Sequence, residues 1–395
     1  MLAAGFLCAA SRAGSLGLVQ LSEGNRAFAC ALFKEIAPAG ENVFFSPFSI
    51  SAAMAMTYAG AREETASQMQ STLRFPVSHD GIAPVFGEMH EALTRGQGEG
   101  VEFRIANSLW PHKDYTFKES YLTLIEQYFH SEIFQLDYNE PEAARQRINV
   151  WVEDTTNEKI KDLIPEGALN SMTRMVLANA VYFNGNWTHA FKPEATSEQP
   201  FYADDGSEKK TMMMTGKLKA GYGEVPGAQV LSMSYEGNAY SMMMVLPEKD
   251  RRVGDLEAEL SAETLAAWQG AIIRHHEVDI TIPKFKLTSE FSLSKALMAM
   301  GMTDAFSGTR ANFSGMDGNT GSIFISDILH KAFVDVHEEG TEAAAATAVI
   351  IRATSFRPPD EVPVFRADRP FLFFITEQTT GSILFLGRYA SPPQG

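Results

Sequence analysis

Apolar residues along this chain keep two different periods, and the change from one to the other organises the sequence. Over residues 19–37, 48–60 and 63–74 they recur three and four positions apart, the spacing that lines one face of an α-helix. Residues 140–164 continue this as a longer amphipathic stretch rich in Glu, Arg and Lys. Later segments, 175–183, 240–246, 278–285, 330–336 and 371–375, are dense in β-branched, aromatic or Met residues between turn signals and are predicted as strands. Several are apolar on both faces, as strands at the centre of a covered sheet are. No internal repeat interrupts the pattern, and Gly and Pro never gather into a linker, so it predicts a single α+β domain over 18–395. Residues 1–17 are apolar and rich in small side chains but lack a basic start. They are expected to be an N-terminal extension or signal remnant, which points to an extracellular or cell-envelope location, with the cytoplasm as the alternative.

Composition narrows the function. The 395 residues are 45% hydrophobic, enough for a substantial core, and no apolar run reaches the length of about 18 residues that a membrane-spanning helix needs. A net charge of -16 adds repulsion at every approach to a phosphate backbone or an anionic lipid surface, so no nucleic-acid partner is expected. Two cysteines, Cys8 and Cys30, make no disulfide framework, and no Cys/His cluster has zinc spacing; neither metal nor cofactor is expected. Cys30 sits at helical spacing among apolar residues and reads as a small core side chain.

Enzyme signatures are missing. There is no Gly-x-Ser-x-Gly elbow, Walker loop or dinucleotide fingerprint. His90-Glu91 and His337-Glu338 begin like a zinc-protease motif, but Thr94 and Thr341 stand where a second imidazole is required. His275 and His276 are adjacent, so their side chains are expected to diverge into solvent.

One stretch resists a single assignment. From Glu338 the chain reads Glu-Glu-Gly-Thr-Glu-Ala-Ala-Ala-Ala-Thr-Ala-Val-Ile-Ile-Arg-Ala-Thr-Ser-Phe-Arg-Pro-Pro. Propensity alone makes its first half a helix and its second half extended. At period two, however, Thr341, Ala343, Ala345, Thr347, Val349 and Ile351 fall on one face, while Glu342 and Arg352 fall on the other. The first face is small or apolar throughout, so this stretch can slide between two strands without burying a charge.

Four runs then carry a resemblance: Asn42-Val43-Phe44-Phe45-Ser46-Pro47-Phe48-Ser49-Ile50-Ser51; Asn179-Ala180-Val181-Tyr182-Phe183-Asn184-Gly185-Asn186-Trp187; Glu338-Glu339-Gly340-Thr341-Glu342-Ala343-Ala344-Ala345-Ala346-Thr347; and Phe365-Arg366-Ala367-Asp368-Arg369-Pro370-Phe371. With these the chain resembles the serpins, the serine protease inhibitors, over 18–392, and most the leukocyte elastase inhibitor-like clade and related bacterial serpins. The resemblance implies a fold of three β-sheets with eight or nine helices and an exposed reactive-centre loop at about 340–362. It implies a suicide-substrate inhibitor, acting as a monomer on a serine protease, with cysteine proteases as a second class of target. A protease attacks the loop, and the cleaved loop inserts into the main sheet before the acyl-enzyme is hydrolysed. The alternative is a serpin without inhibition, acting as chaperone, carrier or storage protein.

By the same resemblance Glu338, Gly340, Thr341, Glu342, Ala343, Ala344, Ala345, Ala346 and Thr347 form the hinge. Ser46, Ser49, Asn179 and His330 form a polar cluster under the sheet where strands must part. Trp187, Lys284 and Glu338 sit where insertion begins. Counting from the hinge glycine places the reactive bond at Thr354-Ser355, with Arg352-Ala353 as the alternative. A small residue at Thr354 suits an elastase-like or subtilisin-like pocket, whereas Arg352 suits a trypsin-like one. Set beside the family it resembles, the stretch between that bond and Pro370 is expected to be about three residues longer than in its nearest relatives, and no Lys/Arg cluster for heparin follows residue 79.

Overall fold

The computed structural model describes residues 2–95, 98, 100–321, 323–341 and 362–393, with side chains from residue 16 onward except at residue 132. Helix α1 (Leu2–Ile36) leads through strand β1 (Val43–Phe45) to helices α2 (Pro47–Gly60), α3 (Glu63–Leu73) and α4 (Ile82–Thr94). Next come β2 (Val101–Pro111), α5 (Glu119–Phe129), β3 (Glu132–Ile133), α6 (Pro141–Thr155) and β4 (Met175–Asn186). Four strands follow, β5 (Ser197–Tyr202), β6 (Glu208–Val225), β7 (Ala228–Ser234) and β8 (Tyr240–Pro247), then helices α7 (Val253–Glu259) and α8 (Ala262–Gly270). After β9 (Ile273–Pro283) and β10 (Phe285–Ser292) the short helices α9 (Ser294–Ala299) and α10 (Ser314–Asp317) precede β11 (Asp327–His337) and β12 (Gly340–Thr341). The chain closes on β13 (Val364–Arg366), β14 (Phe371–Glu377) and β15 (Ile383–Tyr389). Eight of the ten described α-helices span seven residues or more.

Six strands form one sheet in the order β10-β11-β12-β4-β2-β3. The other nine form a continuous hydrogen-bonded path that a β-bulge divides. β5 and β13 attach to β6 before Leu218 and to β9 beyond Val278, whereas β7 joins β6 only from Gly221 onward, and β8, β14, β15 and β1 build out from β7. The register shifts between Leu218 and Ala220, so the nine-stranded path falls into two sections on either side of the bulge; with the six-stranded sheet these account for the three sheets expected.

Helix α2 supports the six-stranded sheet from below. Ser46 caps it by accepting from the Ser49 amide, Pro47 occupies its first turn, and all fourteen residues are buried. Alternation along β4 divides two cores. Leu177, Val181 and Phe183 join the large core around α2, while Val176, Ala178 and Ala180 pack against Ala144 and Ile148 of α6 on the opposite face.

Two predicted elements end earlier than their patterns. The 140–164 stretch is helical only through Thr155, because Asn157 and Glu158 take left-handed backbone conformations (φ 52° and 60°) that stop the helix. The 278–285 strand breaks at Lys284, after Pro283, and its two parts belong to β9 and β10. Among the described residues no helix is long and apolar enough to cross a membrane, and no group of three or more His, Cys, Asp or Glu could hold a metal ion.

Candidate functional site

Strands β4 and β11 run parallel, paired from Val176 with Asp327 to Tyr182 with Phe333. Beyond those residues they part, and β12 lies in the opening, antiparallel to both. Gly340 stands opposite Asn186 and His337, and Thr341 opposite Gly185 and Val336. Glycine is required by the closeness of this approach: a Cβ on residue 340 would lie 2.0 Å from the Gly185 carbonyl oxygen and 2.6 Å from the Asn186 Cα.

Trp187 clasps the turn that leads into β12. Its backbone N–H donates to the Glu339 carbonyl (2.8 Å), and its indole N–H donates to the His337 carbonyl (3.0 Å). The indole stacks on Tyr235 with ring centroids 4.5 Å apart, and the Tyr235 hydroxyl lies 2.9 Å from Thr341 Oγ1. Tyr235 and Thr341 are both fully buried. Thr341, whose side chain the period-two pattern turns inward on insertion, is thus already seated in the sheet, with its hydroxyl satisfied.

Lys284 Nζ donates to Glu338 Oε2 at 2.9 Å. Burial by itself would raise the Glu338 carboxyl; the Lys284 hydrogen bond, a backbone N–H and the lysine charge outweigh it and hold the carboxyl below the usual range. The lysine is 43% exposed, so the pair contributes about 0–1 kcal/mol.

At mid-sheet a second polar group crosses the seam. In register, His330 of β11 stands beside Asn179 of β4, and Asn179 beside Asn107 of β2. The Ser46 amide donates to His330 Nε2 (3.1 Å), which leaves the neutral ring's proton on Nδ1, facing Asn179 Oδ1. The Asn179 amide donates to Ser49 Oγ (2.5 Å) and to Asn107 Oδ1, and Ser46 Oγ donates to the Leu384 carbonyl (2.6 Å). Full burial pushes the His330 pKa down to about 3 from an ordinary 6.5, so the ring is neutral.

Ser46, Ser49, Asn179 and His330 therefore meet in one cluster, and Trp187, Lys284, Glu338, Gly340 and Thr341 meet at the open end of the seam. Asn107, Tyr235 and Gly185 complete these groups without having been singled out in the sequence. Gly185 lies in the run from Asn179 to Trp187 that carried the resemblance, whereas Asn107, flanked by Arg104 and Ser108 in its own strand, and Tyr235 carried no signal.

A family model described as Serpin (serine protease inhibitor) matches residues 23–392. The chain is a serpin. Human leukocyte elastase inhibitor is 39% identical over 384 residues, covering 94% of this chain and all of that protein. Human thyroxine-binding globulin complexed with thyroxine superposes with a TM-score of 0.85 at 29% identity, covering 96% and 100% of the two chains. A thermophilic serpin, Tengpin, in its native state, gives 0.85 at 28% identity, with 94% of each chain covered. In this serpin the rest of the expected hinge (Glu342, Ala343, Ala344, Ala345, Ala346, Thr347) and the candidate bonds (Arg352, Ala353, Thr354, Ser355) lie outside the described residues.

Two measurements probe the geometry. Because folded His330 refuses a proton that the unfolded chain accepts, its contribution to stability is complete above pH 6.5. It is lost as pH falls toward about 3, by up to about 1.4 kcal/mol per unit. Proton uptake on unfolding between pH 6 and 4 should therefore be smaller in His330→Asn by up to about one proton; equal uptake would refute the neutral buried ring. Tyr235→Phe and Thr341→Val each leave one buried hydroxyl unpaired and should each cost about 1–3 kcal/mol, while the double variant recovers most of that loss. Additive losses in thermal unfolding would show that the two hydroxyls do not depend on each other.

Proposed function

We propose that this serpin is a suicide-substrate inhibitor of serine proteases that traps the acyl-enzyme by drawing its cleaved loop into the seam between β4 and β11. The observation that carries this reading is the seating of Gly340 and Thr341, which supplies a register that an inserting strand would continue. Each further residue of an antiparallel strand moves one residue down β4 and β11. Six steps from Thr341 lead to Thr347, and the same six lead from Gly185 to Asn179 and from Val336 to His330. The loop threonine thus arrives between the two side chains that bridge the closed seam, on the same inward face, with a hydroxyl able to replace the contact it separates.

The lengths agree as well. In this register Ile350 reaches Val176 and Asp327, the last paired residues of the seam, and Thr354 passes just beyond the sheet. From Gly340 to Thr354 the strand covers ~50 Å at about 3.3 Å per residue, enough to carry an attached protease across a domain. The native protein holds the less paired arrangement by kinetics, since the inserted strand adds hydrogen bonds to both neighbours.

Thr354 directs the inhibitor to elastase-like or subtilisin-like enzymes. Incubation with a panel of such proteases should give a covalent, denaturant-resistant complex and release a peptide beginning at Ser355. A peptide beginning at Ala353 moves the target class to trypsin-like enzymes. Cleavage without any complex across the panel refutes inhibition and favours the carrier, chaperone or storage reading. Nicking of the loop should raise the melting temperature, and calorimetry showing no rise would mean that no strand is added.

Side chains within the loop give sharper tests. Ala345→Arg places a guanidinium on the inward face, where an unpaired buried charge costs several kcal/mol, and should turn the inhibitor into a cleaved substrate. Glu342→Arg, on the outward face, should inhibit nearly as well as the parent. Thr347→Val keeps the shape but leaves Asn179 and His330 without a hydroxyl between them, so it should lower the trapped fraction and reduce the gain in melting temperature. Equal trapping by Ala345→Arg and Glu342→Arg would show that the facing is wrong.

A further inference from the structure

The bulge that divides the nine-stranded path also gathers charge. Between the pairs Leu218–Val278 and Ala220–His275, β6 has one intervening residue, Lys219, and β9 has two, His276 and Glu277. A bulge of this kind re-aims side chains, and both neighbouring histidines reach one cavity, unlike the divergence expected of adjacent residues on a regular strand. The cavity, of about 270 Å³, is lined by His189, Lys219, Arg274, His275 and His276 over an apolar wall that includes Met233. No carboxylate is among its lining residues. Neither Lys219 nor Arg274 forms an ion pair among the described residues, while Glu277 is held by Lys217 at 3.4 Å. Burial and then the Lys219 charge lower the His189 pKa.

A convergence of cations without acids is unusual in a protein of net charge -16. We infer that this cavity is a binding site for a small, multiply charged anion of the phosphate-ester or polycarboxylate kind. The Arg274 fork and the Lys219 ammonium supply the charged contacts, and the imidazoles supply further donors. The site abuts the open end of the seam. Thr188 lines the cavity and donates its hydroxyl to the Tyr235 carbonyl (2.8 Å), and Tyr235 holds Thr341. A bound anion bridging Thr188 and its neighbours to β6 and β9 braces Tyr235 and slows loop entry, a consequence that rests on the inhibitory reading.

Isothermal titration of the full chain with pyrophosphate and with citrate, at ionic strength fixed by sodium chloride, tests the site without any protease present. Saturable 1:1 binding is expected. Lys219→Gln/Arg274→Gln should weaken it by at least about tenfold, whereas Lys209→Gln/Lys210→Gln, which removes the same charge from the far end of β6, should leave it unchanged. Absence of saturable heat, or equal weakening in both variants, overturns the site. Binding by only one of the two probes assigns the phosphate or the carboxylate source. With saturating anion the rate of protease trapping should fall; an unchanged rate alongside intact binding overturns the coupling to the seam.

Discussion

The parallel ladder between β4 and β11 is the constraint on which the other features depend. Two parallel strands that part at one end offer a slot whose edges are both competent to pair with a third strand running the opposite way. Among the described residues, Gly340 and Thr341 of β12 stand in that slot, paired with both edges. The Trp187 clasp and the Tyr235 hydroxyl hold the start of that third strand in place.

Magnitudes rank these contacts. The Lys284–Glu338 pair is half open to water on the lysine side and contributes at most about 1 kcal/mol. The Tyr235–Thr341 contact is fully buried, so breaking it strands a hydroxyl at a cost of about 1–3 kcal/mol. The His330–Asn179–Asn107 row is also buried at its centre and shares donors with α2, which ties the seam to the helix beneath it. A buried polar network of this kind is stable when every member is satisfied and costly when one is not, so it favours either a closed seam or a fully replaced one.

Much of the fold was legible because its buried helices and strands are dense in apolar residues and are bounded by turn and cap signals. The helix over 48–60 and the strands over 175–183 and 330–336 lie inside α2, β4 and β11, and the helix over 63–74 runs one residue past the end of α3. β2 was missed because Arg104, Asn107 and Ser108 interrupt its apolar alternation, and the strand it pairs with, β4, lies far along the chain. The site followed the same division. Ser46, Asn179 and His330 were named through family resemblance, since nothing local tells a buried histidine in a cluster from one in an ordinary core. Tyr235 has no local signal, because its importance arises from Trp187 and Thr341, each far from it in sequence.

The register set by Gly340 and Thr341 has a consequence for which insertions and deletions the chain can tolerate. Between Thr341 and Ile350, under the proposed insertion, a change of one residue would turn the Glu342 face inward and carry Thr347 away from His330 and Asn179, so spacing there is as constrained as identity. Past Ile350 the seam has ended and no partner strand counts residues any longer. Under that insertion length is free to vary in the part that follows, before Pro370, so lengthening the loop there would leave the register of the inserting strand undisturbed.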